Sequence, residues 1–347
     1  MSAQSWPSSL SSLVSRGCFA VLAAAIALGV SLVGPPPALA ADAPASCSSS
    51  MPVSPTGAWL ADAITTDGDV DWFKFSLASD SLVLITLGRL PGPYRLELYS
   101  SCGTRMKVSD RYGKIYEEIA IALSAGSYYV KVSGDGRQYY PGGQPTFHST
   151  TYRLKFRPIS KGVVLLSHRG WTHPDGTIEI VGEVLNNTAN RKAAVTVTAT
   201  YYDSLNRVIG TSSTSTHLDI MKPLSRSPFK FDEALRAGYH HYKVRVTSAT
   251  TTTASPVGVS AFNRDWYTDG AGVFHFTGTI ENDHTFTIAS PKIAVTLYNK
   301  LGKVFNAEAG FTKASTLAPD QRSTFDVTFS DHHAGHNRRV HSSQASR

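Results

Sequence analysis

Apolar and polar residues alternate along most of this chain, which is the period of a strand with one face on a core and the other toward water. Phe73, Phe75 and Leu77 share a face, as do Tyr94, Leu96 and Leu98 in the next segment. Ile119, Ile121 and Leu123, then Tyr128, Val130 and Val132, then Tyr152, Leu154 and Phe156 repeat the pattern. Turn-forming stretches such as Leu90-Pro91-Gly92-Pro93 and Ser124-Ala125-Gly126 lie between them. Alternation resumes at Ile178 and Ile180, at Val195, Val197, Ala199 and Tyr201, and at Phe229 and Phe231. It returns at Ile293, Val295 and Leu297 and at Phe325, Val327 and Phe329. The pattern predicts an all-β protein of short strands.

The second half is duplicated. Residues 162–231 align without a gap on residues 258–327 at a constant spacing of 96. Gly182 pairs with Gly278, Asn186 with Asn282, Thr200 with Thr296, Tyr202 with Tyr298 and Pro223 with Pro319. A period this long exceeds that of solenoid repeats, so each copy is expected to be a whole domain. Seven or so strands in such a length is the count of an immunoglobulin-like sandwich.

Two sets of motifs carry resemblances. Gly68-Asp69-Val70-Asp71-Trp72-Phe73-Lys74-Phe75, then Tyr94-Arg95-Leu96-Glu97-Leu98-Tyr99, then Leu123-Ser124-Ala125-Gly126-Ser127-Tyr128-Tyr129-Val130, and last Tyr152-Arg153-Leu154, resemble the bacterial pre-peptidase C-terminal domain in the order of its motifs. That resemblance implies a jelly-roll-like sandwich over residues 51–158, non-catalytic, with calcium or substrate binding in some members. In the duplicated half, Tyr201-Tyr202-Asp203 and Leu297-Tyr298-Asn299 stand where the bacterial FxLYD-type domains of exported proteins carry their motif. That resemblance implies β-sandwiches over 159–254 and 255–331, again without catalytic activity.

The N-terminus reads as a targeting segment. Arg16 precedes an apolar run from Cys18 to Val30, and Ala38-Leu39-Ala40 fits small-x-small cleavage, so residues 1–40 are expected to be a signal peptide cut after Ala40. Residues 41–50 then form a linker, and the product is secreted or periplasmic. No later run is long and apolar enough to be a transmembrane segment. Cys47 and Cys102 remain, and two cysteines in an exported chain usually pair; their disulfide would close a loop of about 55 residues, for roughly 4 kcal/mol. The alternative is two separate thiols.

Composition narrows the function classes. The 347 residues suit two or three domains; 41% are hydrophobic and only 17% charged, a balance that fits strands and turns rather than an α/β metabolic enzyme. The net charge of +7 is scattered except near the C-terminus, so no nucleic-acid footprint is present. His332, His333, His336 and His341 crowd residues 332–347, which read as a disordered, His-rich basic tail. His240 and His241 are adjacent on an expected strand and so face opposite sides. Ser227-Pro228-Phe229-Lys230 satisfies an acylation motif, but on a strand the lysine is misplaced, and the second copy has Asp326 there.

Two candidate sites remain. Asp67, Asp69 and Asp71 alternate, so on an extended strand their carboxylates gather on one side and can supply oxygen ligands to Ca²⁺; turn capping by one of them is the alternative. Trp171, Trp266 and Tyr267 fall in loop-like stretches, where aromatic rings serve sugar- or protein-binding surfaces or wedge between domains. The expectation is an exported, non-catalytic binding or adhesion protein whose partner is an extracellular polysaccharide or protein. An accessory subunit of a separately encoded secreted hydrolase is the second reading.

Overall fold

Alternation at period two places one apolar row per strand, and two such rows bury each other only when sheets stack face to face. The computed structural model describes residues 42–66, 68–135, 150–330 and 334–347. Among these, every regular element except a single 3-10 turn at Cys47–Ser49 is a strand, and the chain is all-β, built of sandwich domains. The expected signal segment, residues 1–40, lies outside the described residues.

The first sandwich contains β1 (Met51–Pro52), β2 (Trp59–Asp62), β3 (Val70–Leu77), β4 (Ser81–Gly88), β5 (Tyr94–Ser101), β6 (Thr104–Ser109), β7 (Glu117–Leu123), β8 (Gly126–Gly134) and β9 (Tyr152–Ile159). They form the sheets β1-β3-β8-β5-β6 and β2-β9-β4-β7. Successive strands from β2 cross between the two sheets, except at the β5–β6 hairpin, which stays within one sheet. Phe73, Phe75, Leu96, Val130, Tyr152 and Phe156 fill the space between them. Residues 42–50, read as a linker, instead dock on this domain. Ala43 joins its core, the Trp72 amide donates to the Pro44 carbonyl at 3.1 Å, and Cys47 is bonded to Cys102.

The second sandwich comprises β10 (Gly162–Thr172), β11 (Thr177–Asn187), β12 (Arg191–Tyr202), β13 (Val208–Ser215), β14 (Ile220–Met221), β15 (Arg226–Ala234) and β16 (His241–Thr252). The third comprises β17 (Ser260–Thr268), β18 (Phe274–Glu281), β19 (Ile288–Tyr298), β20 (Val304–Phe311), β21 (Thr316–Leu317), β22 (Arg322–Phe329) and β23 (Arg338–Ser346). Each pairs a three-stranded sheet, β10-β11-β15 or β17-β18-β22, with a four-stranded one centred on β12 or β19. The repeated residues have repeated jobs. Buried Asn186 donates to the carbonyls of Asn190 and Met221, and Asn282 donates to those of Phe286 and Leu317. Gly182 and Gly278 lie under the rings of Phe229 and Phe325, which a methyl group would strike.

The disordered-tail expectation, made for residues 332–347, is corrected over the described part of that stretch, residues 334–347. Arg338–Ser346 is the last strand of the third sandwich, and its pairing of Lys292 with Gln344 reproduces that of Thr196 with Ser248 in the second. Its inward positions explain why hydropathy misses it. Opposite the buried Leu297 and Val295 stand Arg339 and His341, where the second sandwich has Tyr242 and Val244 facing Tyr201 and Ala199. Arg339 lies 5.3 Å over the Trp266 ring and 5.0 Å over Phe274, and the His341 ring is 5.0 Å from Phe276. A cation on an aromatic ladder replaces the aliphatic row here.

The three sandwiches close on one another. The outer face of β10-β11-β15 receives β20 of the third sandwich, with Val181, Val304 and Ala307 buried between them and Trp171 packed alongside. The turn after β19 reaches the first sandwich: the Arg89 amide donates to the Lys300 carbonyl at 2.8 Å, and Gly302, at φ +67°, lies against the Tyr116 ring. Asn337 adds a bond from its Nδ2 to the Lys114 carbonyl and accepts one from the Tyr116 amide.

A chain ending at Asn337 leaves β19 with an open edge and removes the cover from Trp266 and Phe276. Such a truncation is expected to abolish amide protection in β18 and β19 while sparing β12, a difference that hydrogen exchange resolves.

Candidate functional site

The acidic cluster forms where the N-terminal segment crosses the end of the first sandwich. Carboxylate oxygens of Asp42, Asp69 and Asp71 lie within 4.8 Å of one another. Asp71 enters from β3 and is fully buried. Its Oδ2 accepts a 2.6 Å bond from the Tyr152 hydroxyl, and its Oδ1 has no hydrogen-bond partner. Asp69 precedes β3 in a turn, where its Oδ2 accepts from the Thr65 amide at 2.8 Å. Asp62, at the end of β2, accepts from the amides of Ala63 and Ala43.

Burial drives the Asp71 carboxyl up to about 8 against the Tyr152 bond, and the neighbouring Asp62, Asp69 and Asp42 raise it further. Asp62 is raised to about 6, first by burial and then by the same neighbours. A buried carboxylate oxygen without a donor, facing other carboxylates, is the donor set of a hard cation. Asp67 lies outside the described residues. The alternation that suggested Asp67, Asp69 and Asp71 does not build the cluster, because β3 begins only at Val70. Sequence reasoning missed Asp42 and Asp62, which no motif joins to Asp71; the disulfide of Cys47 was the available hint that the leader returns to this domain.

The aromatic candidates are on strands, not loops, which corrects their expected placement. Trp171 is on β10 and packs in the seam with Tyr298, Val304 and Tyr116. Trp266 is on β17 and stacks at 3.8 Å on Phe276 and 5.8 Å on Phe274, at the margin of the third core. Tyr267, its neighbour, points the other way and is 42% exposed, so it alone of the three presents a ring to solvent. It stacks at 4.7 Å on His275, which lies 2.9 Å from Asp326 and 3.4 Å from Asp269. The hydrogen bond with Asp326, aided by Asp269, raises the His275 pKa. His240 and His241 also differ from expectation: their Nδ1 atoms are 3.3 Å apart because β16 starts only at His241.

Between the second and third sandwiches, Arg226 of β15 donates to Glu118 at 2.8 Å and to Glu183 at 3.4 Å, while the Tyr298 hydroxyl donates to the other Glu183 oxygen. Burial alone would lower the Arg226 pKa, but Glu183 and Glu118 hold it above its usual value. The rim is tied by Lys292 to Asp219 at 3.0 Å and by Lys230 to Glu308 and Glu179. His217 sits inside this rim with its Nε2 buried and unpartnered. Burial pushes it down to about 4, and Lys292 and Lys230 add repulsion.

No protein-family model matches the chain, and no curated protein does. Among solved structures, the pre-peptidase C-terminal domain of a collagenase from Bacillus anthracis is similar at 15% identity and TM-score 0.24, over 31% of this chain and 93% of that one. A β-galacturonidase from Eisenbergiella tayi is similar at 8% identity and TM-score 0.34, and a β-glucuronidase from Bacteroides uniformis at 11% and 0.31. These cover 61% and 70% of this chain, which spans 33% and 26% of their lengths. At such scores the likenesses carry no argument about function.

Two outcomes follow from this packing. Trp266→Ala should lower the unfolding free energy by about 2–3 kcal/mol in urea titration, because it removes a core ring and not merely a contact surface. Below its unfolded pKa near 6.5, His217 takes up a proton in the unfolded chain and not in the folded one until about pH 4. Stability should therefore fall by about 2–3 kcal/mol between pH 7 and 4.5, and His217→Leu should flatten that part of the urea-midpoint profile.

Proposed function

We propose that this is an exported, non-catalytic binding protein that holds an extracellular polysaccharide or protein, with Ca²⁺ as a structural cation on the first sandwich. The observation that carries the reading is the outer face of β17-β18-β22. On the second sandwich the matching face is an interface: Trp171 and Lys230 are engaged by the third sandwich. On the third, Tyr267 stands outward over His275 between Asp269 and Asp326. A flat ring backed by a charged pair offers stacking and directional hydrogen bonds on a rigid sheet. The Cys47–Cys102 bond supports an oxidising destination.

Asp71, Asp69 and Asp42 would hold the cation, which would neutralise their repulsion and pin the N-terminal segment to β3. Extracellular modules bind calcium with dissociation constants of about 10⁻⁴–10⁻³ M, so the metal acts as a fastener at external concentrations.

Capture of the purified chain on polysaccharides, peptidoglycan and matrix proteins tests the binding role. At least one should be retained, and Tyr267→Ala should weaken it about tenfold; retention of none, or no effect of the substitution, defeats the reading. Adding a chelator should lower the melting midpoint by several degrees, as expected from about 2.7 kcal/mol at a hundredfold excess of ligand over Kd. Asp71→Asn should make the midpoint indifferent to chelator.

A further inference from the structure

The junction of the second and third sandwiches forms a partly open cavity of about 370 Å³. Its wall on the third sandwich is one face of two paired strands: Ala294 and Thr296 of β19 beside Ser342 and Gln344 of β23. Thr296 and Gln344 are only 4% and 5% exposed, and among the described residues neither side chain makes a hydrogen bond. Their polar ends are not sealed in the interior but belong to residues that line the cavity, so a ligand that enters it can complete their hydrogen bonding. Their counterparts in the second sandwich, Thr200 and Ser248, are half-buried and exposed instead.

The opposite wall is apolar, with Leu218, Ile220 and Pro228. Of the charged residues in its lining, Glu183 has accepted from Arg226 and Tyr298, and Lys222 is exposed at the surface. What remains are the hydroxyls of Thr296 and Ser342 and the Gln344 amide, able to donate and accept, facing a hydrocarbon surface. That combination suits a neutral molecule with hydroxyls on its edges and C–H groups on its face. The volume falls at the lower end of the roughly 300–1,000 Å³ range of small-molecule sites.

We propose that this cavity is a binding site for a neutral saccharide of one or two sugar units, with Thr296 and Gln344 reading its hydroxyls. The inference deepens the binding reading by naming a site and ligand class, and it does not depend on Tyr267. The sugar could arrive free or as the end of a polymer, and the two sources are separated by using soluble and immobilised forms.

The test uses calorimetry of the intact chain with a panel of neutral mono- and disaccharides, including glucose, N-acetylglucosamine, maltose and cellobiose. Saturable binding by at least one is expected. The double variant Thr296→Val, Gln344→Leu should weaken it tenfold or more. Ser342→Leu, which fills the cavity from its partly exposed edge, should also abolish binding and serves if the double variant misfolds. Binding of no sugar in the panel, or binding untouched by these variants, overturns the proposal. Polymer capture through Tyr267 without free-sugar binding would end this inference alone. Free-sugar binding at the cavity without any polymer or protein capture would end the broader reading alone.

Discussion

One guanidinium joins three domains. Arg226 belongs to the second sandwich, donates to Glu118 of the first and to Glu183 of its own sheet, and Glu183 in turn accepts from Tyr298 of the third. Deleting one member of a buried charged set leaves the others unpaired, at a cost of about 3–5 kcal/mol, whereas the intact set contributes little net energy. Its value is positional. A displaced sandwich strands a charge, so the modules have one arrangement in which all are neutralised. The cavity, the seam around Trp171 and the reach of the β19–β20 turn to Gly88 and Arg89 all presuppose that arrangement.

Much of the fold was legible because it is written in alternation. Phe73, Phe75, Val195, Val197, Val295 and Leu297 read as inward residues and are buried. The repeat was legible because Gly182, Asn186 and their counterparts answer the same local demand in both copies. β23 was hidden because its inward residues, Arg339, His341 and Ser343, are polar by type and core-facing by pairing. Single-sequence hydropathy has no means of seeing a cation that rests on Trp266.

The site was legible only in part, for a different reason. Asp69 and Asp71 stand out as neighbours in sequence, but Asp42 and Asp62 join them through the return of the N-terminal segment, which is a tertiary event. The aromatic trio was found by type and misplaced by context: Trp266 and Tyr267 are adjacent, yet the pleat sends one into the core and the other to solvent. Arg226 gave no signal at all. Its repeat partner Arg322 is also an arginine but pairs with Glu281, because Thr279 stands in place of Glu183 there and the Glu118 that meets Arg226 comes from a different sandwich.

The two copies stack through unlike faces, the β11 side of one on the β19 side of the other. Contacts of this head-to-tail kind are not self-complementary, and unless their rotation closes a ring a duplicated module that uses one invites a third, then a fibre. The free ends of this pair are blunted against that outcome. The socket residues Val181, Glu183 and Lys230 become Thr277, Thr279 and Asp326 on the outer copy, and the plug residues Ala307 and Glu308 become Thr211 and Ser212 on the inner one. The lysine–glutamate tie at the junction thus has aspartate and serine in its place at both termini. The duplication carries its own stop signal, and the stack counts to two.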